Sequence, residues 1–320
     1  MNDGSKDNTY SKVKEAFDNN PKVRVLTKPN GGKASALNYG IANSTSEILV
    51  NIDADTQLLP NAVTELIKKM SDNRVGAVAG NVKVGNKVNW LTRWQSVEYI
   101  TSQNFDRLAM EYLNAITVVP GAIGAFRKTA IEEIGGYATD TLAEDCDVTI
   151  RMLRNGWKIV SANEAIAITE APETVPQFMK QRFRWSFGVM QAFWKNRDTL
   201  FVKKYKGLGM IAMPNILIFQ LILPMFAPFA DLVLLLSLLT WSVGAKILIF
   251  YLAFMLVDIG CGFVAFRFQN ESPRPVFMLI PQRFVYRPMM YSVLYKSYRR
   301  AIKGELQQWG ILKRTGNATV

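Results

Sequence analysis

Two aspartates separated by one residue, Asp53-Ala54-Asp55, directly follow the run Ile48–Ile52, apolar but for Asn51. Such a run reads as a buried strand of a parallel sheet, and open α/β sheets bind ligands beyond the carboxyl ends of their strands. Paired carboxylates at that place suit a hard divalent cation that must also touch a diphosphate. The same acids also suit the N-cap of a helix over Asn61–Met70. A second pair, Glu144-Asp145, opens a helix after the turn Gly135-Gly136-Tyr137. A carboxylate there can take a proton from an attacking hydroxyl, or simply face the positive end of the helix dipole. Asp147 lies on the same turn and competes for the base role. In Gln181-Arg182-Phe183-Arg184-Trp185, Arg184 can neutralise phosphate oxygens and Trp185 offers an apolar face of the kind that packs on sugar rings. The same cluster also fits a basic-aromatic helix that holds a domain at a bilayer. Asn30-Gly31-Gly32-Lys33 brings backbone N–H groups and a lysine within reach of phosphate, or merely enters a helix. Asn2-Asp3-Gly4-Ser5 taken alone is a turn.

Composition narrows the chemistry. The 320 residues include no histidine, which excludes His-based triads and His-ligated zinc. Acid–base work falls to Asp, Glu, Lys, Tyr or Cys. Two cysteines, Cys146 in the polar half and Cys261 in the apolar half, argue against a disulfide and fit a reducing compartment. No cleavable signal peptide is legible. The net charge is +12, and ten basic residues between Arg267 and Arg314 face only Glu271 and Glu305. Beside an apolar run, such an excess points to anionic lipid and cytoplasmic loops rather than nucleic acid.

The elements that must position these residues follow an α/β rhythm. Strands are expected at Val23–Leu26, Ile48–Ile52, Val75–Val84, Ile116–Val119, Ala122–Phe126 and Ala165–Thr169. Helices are expected at Lys33–Ala42, Asn61–Met70, 90–113, Ala143–Leu153 and Gln177–Trp194, the last either at a membrane interface or facing the core. Beyond residue 200 the character changes. Leu208–Ala230 carries no charge and is long enough to cross about 30 Å of hydrocarbon. Pro214, Pro224 and Pro228 predict kinks, and Leu232–Val243 extends the run. Ala245–Phe266 forms a second span. Phe277–Arg300 is amphipathic, lying along the interface or against other helices. Lys203, Lys204 and Lys206 before the first span, with Arg267 and Arg274 after the second, put both flanks in the cytoplasm after two crossings.

Taken in order, several motifs resemble the processive family 2 glycosyltransferases, the group of cellulose, hyaluronan, chitin-oligosaccharide and poly-N-acetylglucosamine synthases. They are Asp3-Gly4-Ser5, Asn30-Gly31-Gly32-Lys33-Ala34, Asp53-Ala54-Asp55, Glu144-Asp145, Gln181 to Trp185, and the tail Lys303-Gly304 to Trp309 with Lys313-Arg314-Thr315-Gly316. The resemblance implies a GT-A type nucleotide-sugar domain over 1–200 with a mainly parallel sheet. An interface helix at 177–194 and a helical membrane region with a basic tail over 201–320 complete it. It implies Asp145 as general base and Asp55 as ligand of Mg²⁺ or Mn²⁺. Asp3, Lys33, Asp53, Gln181 and Arg184 would hold a UDP-sugar donor, such as UDP-N-acetylglucosamine. Trp185, Gly121, Gly124 and Glu144 would hold the end of a polysaccharide acceptor, with Arg127 beside the Pro120–Gly124 segment. Membrane lipid and accessory membrane or export subunits are the implied partners, at the inner membrane with the catalytic domain cytoplasmic. Ala143 stands where many members have threonine. Members also carry a first strand and helix ahead of the Asp-Gly-Ser turn, so the sheet is expected to lack its first strand. Two other readings share the motifs: transfer of a single sugar to a lipid carrier, and an inactive fragment that only binds nucleotide.

Overall fold

A computed structural model describes residues 1–237 and 241–304. The tail motifs beyond Gly304 and residues 238–240 of the expected extension Leu232–Val243 lie outside the described residues. The chain begins with α1 (Thr9–Phe17), which buries no side chain, and α2 (Lys33–Ala42). β1 (Ile48–Ile52) and the two-residue β2 (Gln57–Leu58) flank the Asp53–Asp55 turn. In α3 (Ala62–Lys69) the buried residues Ala62 and Leu66 stand four apart, one helical face, and that face packs on the sheet. β3 (Val75–Val84) is buried along nearly its whole length, which fits its small and apolar residues from Val75 to Gly80. α4 (Trp90–Glu98) starts at a capping box: Thr92 N–H donates to Asn89 Oδ1 at 3.0 Å and Asn89 N–H to Thr92 Oγ1 at 3.1 Å. A π-helical segment, Tyr99–Asn104, leads into α5 (Phe105–Glu111).

β4 (Ile123–Arg127), α6 (Lys128–Glu133), α7 (Glu144–Arg154), β5 (Lys158–Thr169) and α8 (Val175–Lys195) complete the first half. The sheet order is β1-β4-β3-β5-β2. β4 runs antiparallel between β1 and β3, β2 is antiparallel to β5, and only β3 and β5 pair in parallel. The sheet is therefore mixed, not mainly parallel. β1, β3 and β5 do point one way, as the βαβ rhythm implies, but β4 is inserted between β1 and β3 in the opposite sense. Alternate residues of β3 serve the two faces. Ala77 and Ala79 join the cluster around Phe126, Ile131 and Ile150, while Val78 and Val82 join that around Leu66, Ile123 and Val160.

Two expected strands do not form. Val23–Leu26 joins no sheet: Asn2 N–H to Leu26 O at 2.8 Å and Lys28 N–H to Asn2 O at 3.1 Å make one isolated parallel bridge, Asn2 to Thr27. Ile116–Val119 is irregular because Val119 N–H donates to the side chain of Thr149 on α7 at 3.0 Å instead of to a strand. β5 is longer than the expected Ala165–Thr169.

The second half is helical: a π segment Leu208–Ala212, the single turn α9 (Met213–Asn215), another π segment Ile216–Ile222, then α10 (Leu223–Ser237), α11 (Trp241–Phe268) and α12 (Leu279–Ile302). Leu208–Val233 and Ala245–Phe268 are long and apolar enough to cross a membrane and are mostly exposed. The core does not stop at residue 200, since Leu208, Met213, Ile216 and Leu221 share the cluster of Ile150 and Phe193. α12 packs along α8, and α8 buries Phe178, Gln181, Arg182, Phe183 and Phe187. Both amphipathic helices thus face protein.

α8 presses on the residue that precedes Glu144. A Cβ at Gly188 would lie 2.6 Å from Ala143 N and Cβ, whereas one at Gly40, inside α2, would meet nothing within 4 Å. Gly40→Ala should raise stability by about 1 kcal/mol through helix propensity. Gly188→Ala should lower it by roughly 1–2 kcal/mol, because backbone must move to relieve the overlap. Thermal unfolding of the two variants checks the opposite signs.

Candidate active site

β1 ends at Ile52, whose partner across the ladder is Ile123 of β4. Because β4 is antiparallel, its entry Pro120-Gly121-Ala122 lies beside the residues that follow β1. A Cβ at Gly121 would come within 2.5 Å of Lys33 Nζ and 3.6 Å of Asp53 Oδ2. Only glycine allows that approach. Lys33, the first residue of α2, places its ammonium 2.6 Å from Asp53 Oδ1 and 3.3 Å from Glu144 Oε1. Three separate stretches meet at one cation.

The start of α2 is fixed from a distance. The Asp3 carboxylate accepts from Gly31 N–H at 3.1 Å and Gly32 N–H at 2.8 Å, and pairs with Lys28 at 3.0 Å. An acid at a helix N-terminus is favourable. These N–H groups, suggested by sequence as a phosphate cradle, are engaged by Asp3, and Asp3 itself is not part of the cavity wall. The start of α7 is fixed through Tyr137. Its N–H donates to Asn38 Oδ1 and its carbonyl accepts from Asn38 Nδ2, both at 2.8 Å, while its hydroxyl accepts from Asn51 Nδ2 at 2.7 Å.

One cavity of about 650 Å³ is lined by Lys33, Asp53, Gly121, Glu144, Asp145, Gln181, Arg184 and Trp185. Eight of the residues singled out from sequence thus share it. Asp55 and Gly124 are not in its wall. Gly124 sits in β4, where an added Cβ would meet Val119 at 2.5 Å, so it serves packing. Arg127 donates to the carbonyls of Val75 and Met70 at 3.1 and 2.8 Å, a structural task. Asp147 is fully buried and pairs with Arg151 at 2.7 Å and Lys195 at 3.3 Å. That leaves Glu144 and Asp145 as the acids of this turn that face the cavity.

Burial raises the Glu144 carboxyl from 4.5 to about 7. Lys33 opposes the rise and the charge of Asp145 adds to it. Asp145 is also raised by burial, against Lys33 and the backbone N–H groups of Cys146 and Gly121. For Lys33, burial disfavours the charge, but Glu144 and Asp53 outweigh it and its pKa rises. Gln181 is 4% exposed and its Oε1 has no hydrogen-bond partner, so a ligand N–H or O–H can satisfy it.

The cavity also holds charges that sequence reasoning missed: Glu98, Asp106, Arg107 and Glu170. Burial pushes Arg107 down to about 10, opposed by Asp145, and Asp106 up to about 6, opposed by Arg107. The adjacent acid and base on an otherwise ordinary helix gave little signal. The π segment that turns them inward has no sequence mark.

A family model described as glycosyl transferase family group 2 matches residues 48–265. The chain belongs to this family. It is 32% identical over 189 residues to a poly-beta-1,6-N-acetyl-D-glucosamine synthase of Staphylococcus aureus (strain COL), covering 59% of this chain and 46% of that protein. It is 31% identical over 204 residues to the synthase of Staphylococcus epidermidis, covering 62% and 50%. The chain thus spans about half the length of the curated relatives it matches. A solved mannosyltransferase, PcManGT from Pyrobaculum calidifontis in complex with GDP-Man and Mn²⁺, superposes with a TM-score of 0.61 at 20% identity, covering 88% of this chain and 76% of that one. That likeness shows the fold, the GT-A type.

For a family 2 glycosyltransferase the donor set bears on a metal. Among the described residues no three His, Cys, Asp or Glu side chains group to cage an ion. Asp53 and Asp55, both partly exposed at the end of β1, instead fit a hard cation that completes its shell with phosphate oxygens, as Mg²⁺ commonly does.

The raised Glu144 pKa has a stability consequence. A carboxyl whose folded pKa lies above its unfolded value contributes fully below pH 4.5 and loses that contribution as pH rises through about 7. Glu144→Gln removes the titration. Between those pH values the melting temperature of the unsubstituted protein should fall relative to the variant, and a parallel pH series of thermal scans measures the difference.

Proposed function

We propose that the protein transfers a sugar from a nucleoside-diphosphate sugar to a hydroxyl at the end of a β-linked polysaccharide, with inversion at the anomeric carbon. The observation that carries this reading is the meeting of Asp53, Glu144, Asp145, Gln181, Arg184 and Trp185 in one cavity of a family 2 glycosyltransferase. Asp145 takes the acceptor proton as the oxygen attacks, and its burial makes it a stronger base than an exposed aspartate. Arg184 faces the departing diphosphate. Trp185 packs against the acceptor sugar. Gly121, just before β4, leaves room for the reacting atoms beside Lys33.

The wall carries six carboxylates, Asp53, Glu98, Asp106, Glu144, Asp145 and Glu170, against four cations, Lys33, Arg107, Arg182 and Arg184. A diphosphate entering that lining needs additional positive charge. The residues to hold it are Asp55 and Asp53, and Mg²⁺ or Mn²⁺ bound there supplies neutralisation of the leaving group. The Mn²⁺ in the structurally similar mannosyltransferase accords with this. UDP-N-acetylglucosamine is the proposed donor, from the synthases that share about a third of the aligned residues. The two exposed apolar helices support a place in the membrane, with lipid around them, the catalytic domain on the cytoplasmic side and the polymer passing toward export. Accessory membrane or export subunits belong to the same reading.

Asp145→Asn should lower turnover by about 10²–10⁴-fold, the usual contribution of a general base, with donor affinity nearly unchanged. UDP release and UDP-sugar binding, measured on the protein in membranes, separate the two. Equal turnover in the variant would remove Asp145 from the role. Asp55→Ala should abolish transfer at any Mn²⁺ concentration and weaken Mn²⁺ uptake in the presence of UDP, read from the free-ion EPR signal. Full rescue by added metal would reassign the site.

A further inference from the structure

Trp185 is clamped from behind. The guanidinium of Arg182, a side chain 3% exposed, lies 4.3 Å from the centre of the Trp185 ring and 5.1 Å from that of Phe178. Its two terminal nitrogens donate to the two carboxylate oxygens of Glu98 at 2.8 and 2.7 Å. The hydroxyl of Tyr286, on α12, donates to the same carboxylate. Tyr99, next to Glu98 and first in the π segment, lies 6.3 Å from the Trp185 ring. Tyr286 also packs on Phe178, 4.9 Å between ring centres. Three elements distant in sequence, α4, α8 and α12, are therefore joined in one network that reaches the Trp185 ring through Arg182.

A buried ion pair is seldom kept for stability, since apolar residues of similar volume often do as well or better. This pair has a geometric result instead. The bidentate contact fixes the guanidinium plane, and that plane meets the ring face. We propose that Glu98 and Arg182, tied to α12 by Tyr286, are positioning residues that set the Trp185 ring and so the affinity for the acceptor sugar. The proposal rests on the reading of Trp185 as the acceptor platform. It gives Tyr286 of α12, which is not in the cavity wall, a part in the acceptor site. A shift of α12 withdraws a hydrogen bond from Glu98, loosens Arg182 and frees the ring, while the cluster of Lys33, Asp53 and Glu144 stays as it is.

The test uses the protein in membrane vesicles, with UDP-N-acetylglucosamine as donor and a β-linked N-acetylglucosamine pentasaccharide as acceptor. Tyr286→Phe deletes one oxygen and preserves packing. Arg182→Lys keeps the charge but loses the planar fork. Tyr286→Phe should raise the acceptor KM on the order of tenfold, the scale of one hydrogen bond to a charged group, and Arg182→Lys should raise it further. Donor KM and acceptor-independent donor hydrolysis should stay within about twofold in Tyr286→Phe, because Tyr286 is not in the cavity wall. Pentasaccharide binding, followed directly by calorimetry, should weaken in parallel. A merely structural role would lower melting temperature and donor and acceptor parameters together, and that result overturns the proposal. So does an unchanged acceptor KM in both variants while the unsubstituted protein transfers normally. If the unsubstituted protein neither binds nor extends the pentasaccharide, the acceptor reading itself falls, and this proposal with it. Should Arg182→Lys fail to fold, Tyr286→Phe decides alone.

Discussion

One buried ammonium makes the site possible. Asp53, Glu144 and Asp145 come from different segments and would repel one another if brought together without a counter-charge. Lys33, 2.6 Å from Asp53 and 3.3 Å from Glu144, supplies it. Burial makes each charge costly on its own; together they remain a cluster in which burial still lifts both Glu144 and Asp145. That combination is what base chemistry near neutral pH requires. The carboxylates line one cavity, and the ammonium of Lys33 between Asp53 and Glu144 offsets their mutual repulsion.

The fold can be followed outward from that ammonium. Lys33 reaches the cavity because α2 begins where Asp3 binds the N–H groups of Gly31 and Gly32. The amino-terminal motif therefore has a task here that needs no ligand: it anchors the loop that delivers the lysine. Glu144 reaches Lys33 because Tyr137, pinned by Asn38 and Asn51, ends the loop before α7, and because α8 lies against Ala143. The inserted antiparallel β4 then brings Gly121, with no side chain, against the Lys33–Asp53 pair.

Much of this was legible in the sequence. The bounds of Ile48–Ile52, Val75–Val84 and Lys33–Ala42 were readable to the residue, but β1 is a partly exposed edge strand paired antiparallel with β4, not the buried strand of a parallel sheet that its run suggested. Asp53, Glu144 and Asp145 were readable because acids at a strand's end or a helix's start carry an unambiguous position. The sense of β4 was not, since a short apolar strand carries no information on which neighbour it will join. Val23–Leu26 has the composition of a strand but is bordered by one isolated bridge, Asn2 to Thr27, and not by a sheet. Asp147 and Asp145, two residues apart on one helix, differ only in which side each faces, and only packing against Arg151 and Lys195 separates them. Glu98 and Arg107 were hidden for a similar reason. A π segment shifts the helical phase between them, so a period of 3.6 residues assigns their faces wrongly.

The division of the chain into a polar catalytic half and an apolar half does not carry over to the site. Ala212, Asn215, Gln220 and Leu221, from the first apolar stretch, and Met290 and Leu294, from α12, line the same cavity as Asp145. The two π segments at Leu208–Ala212 and Ile216–Ile222 explain how an apolar helix can do this, because the wider turn re-aims residues that a regular helix would leave facing outward. Asn215 and Gln220 are thereby polar groups of the cavity rather than costly polar groups in an apolar stretch. Helices that sequence assigns to the bilayer thus form one wall of the chamber that holds the acid pair.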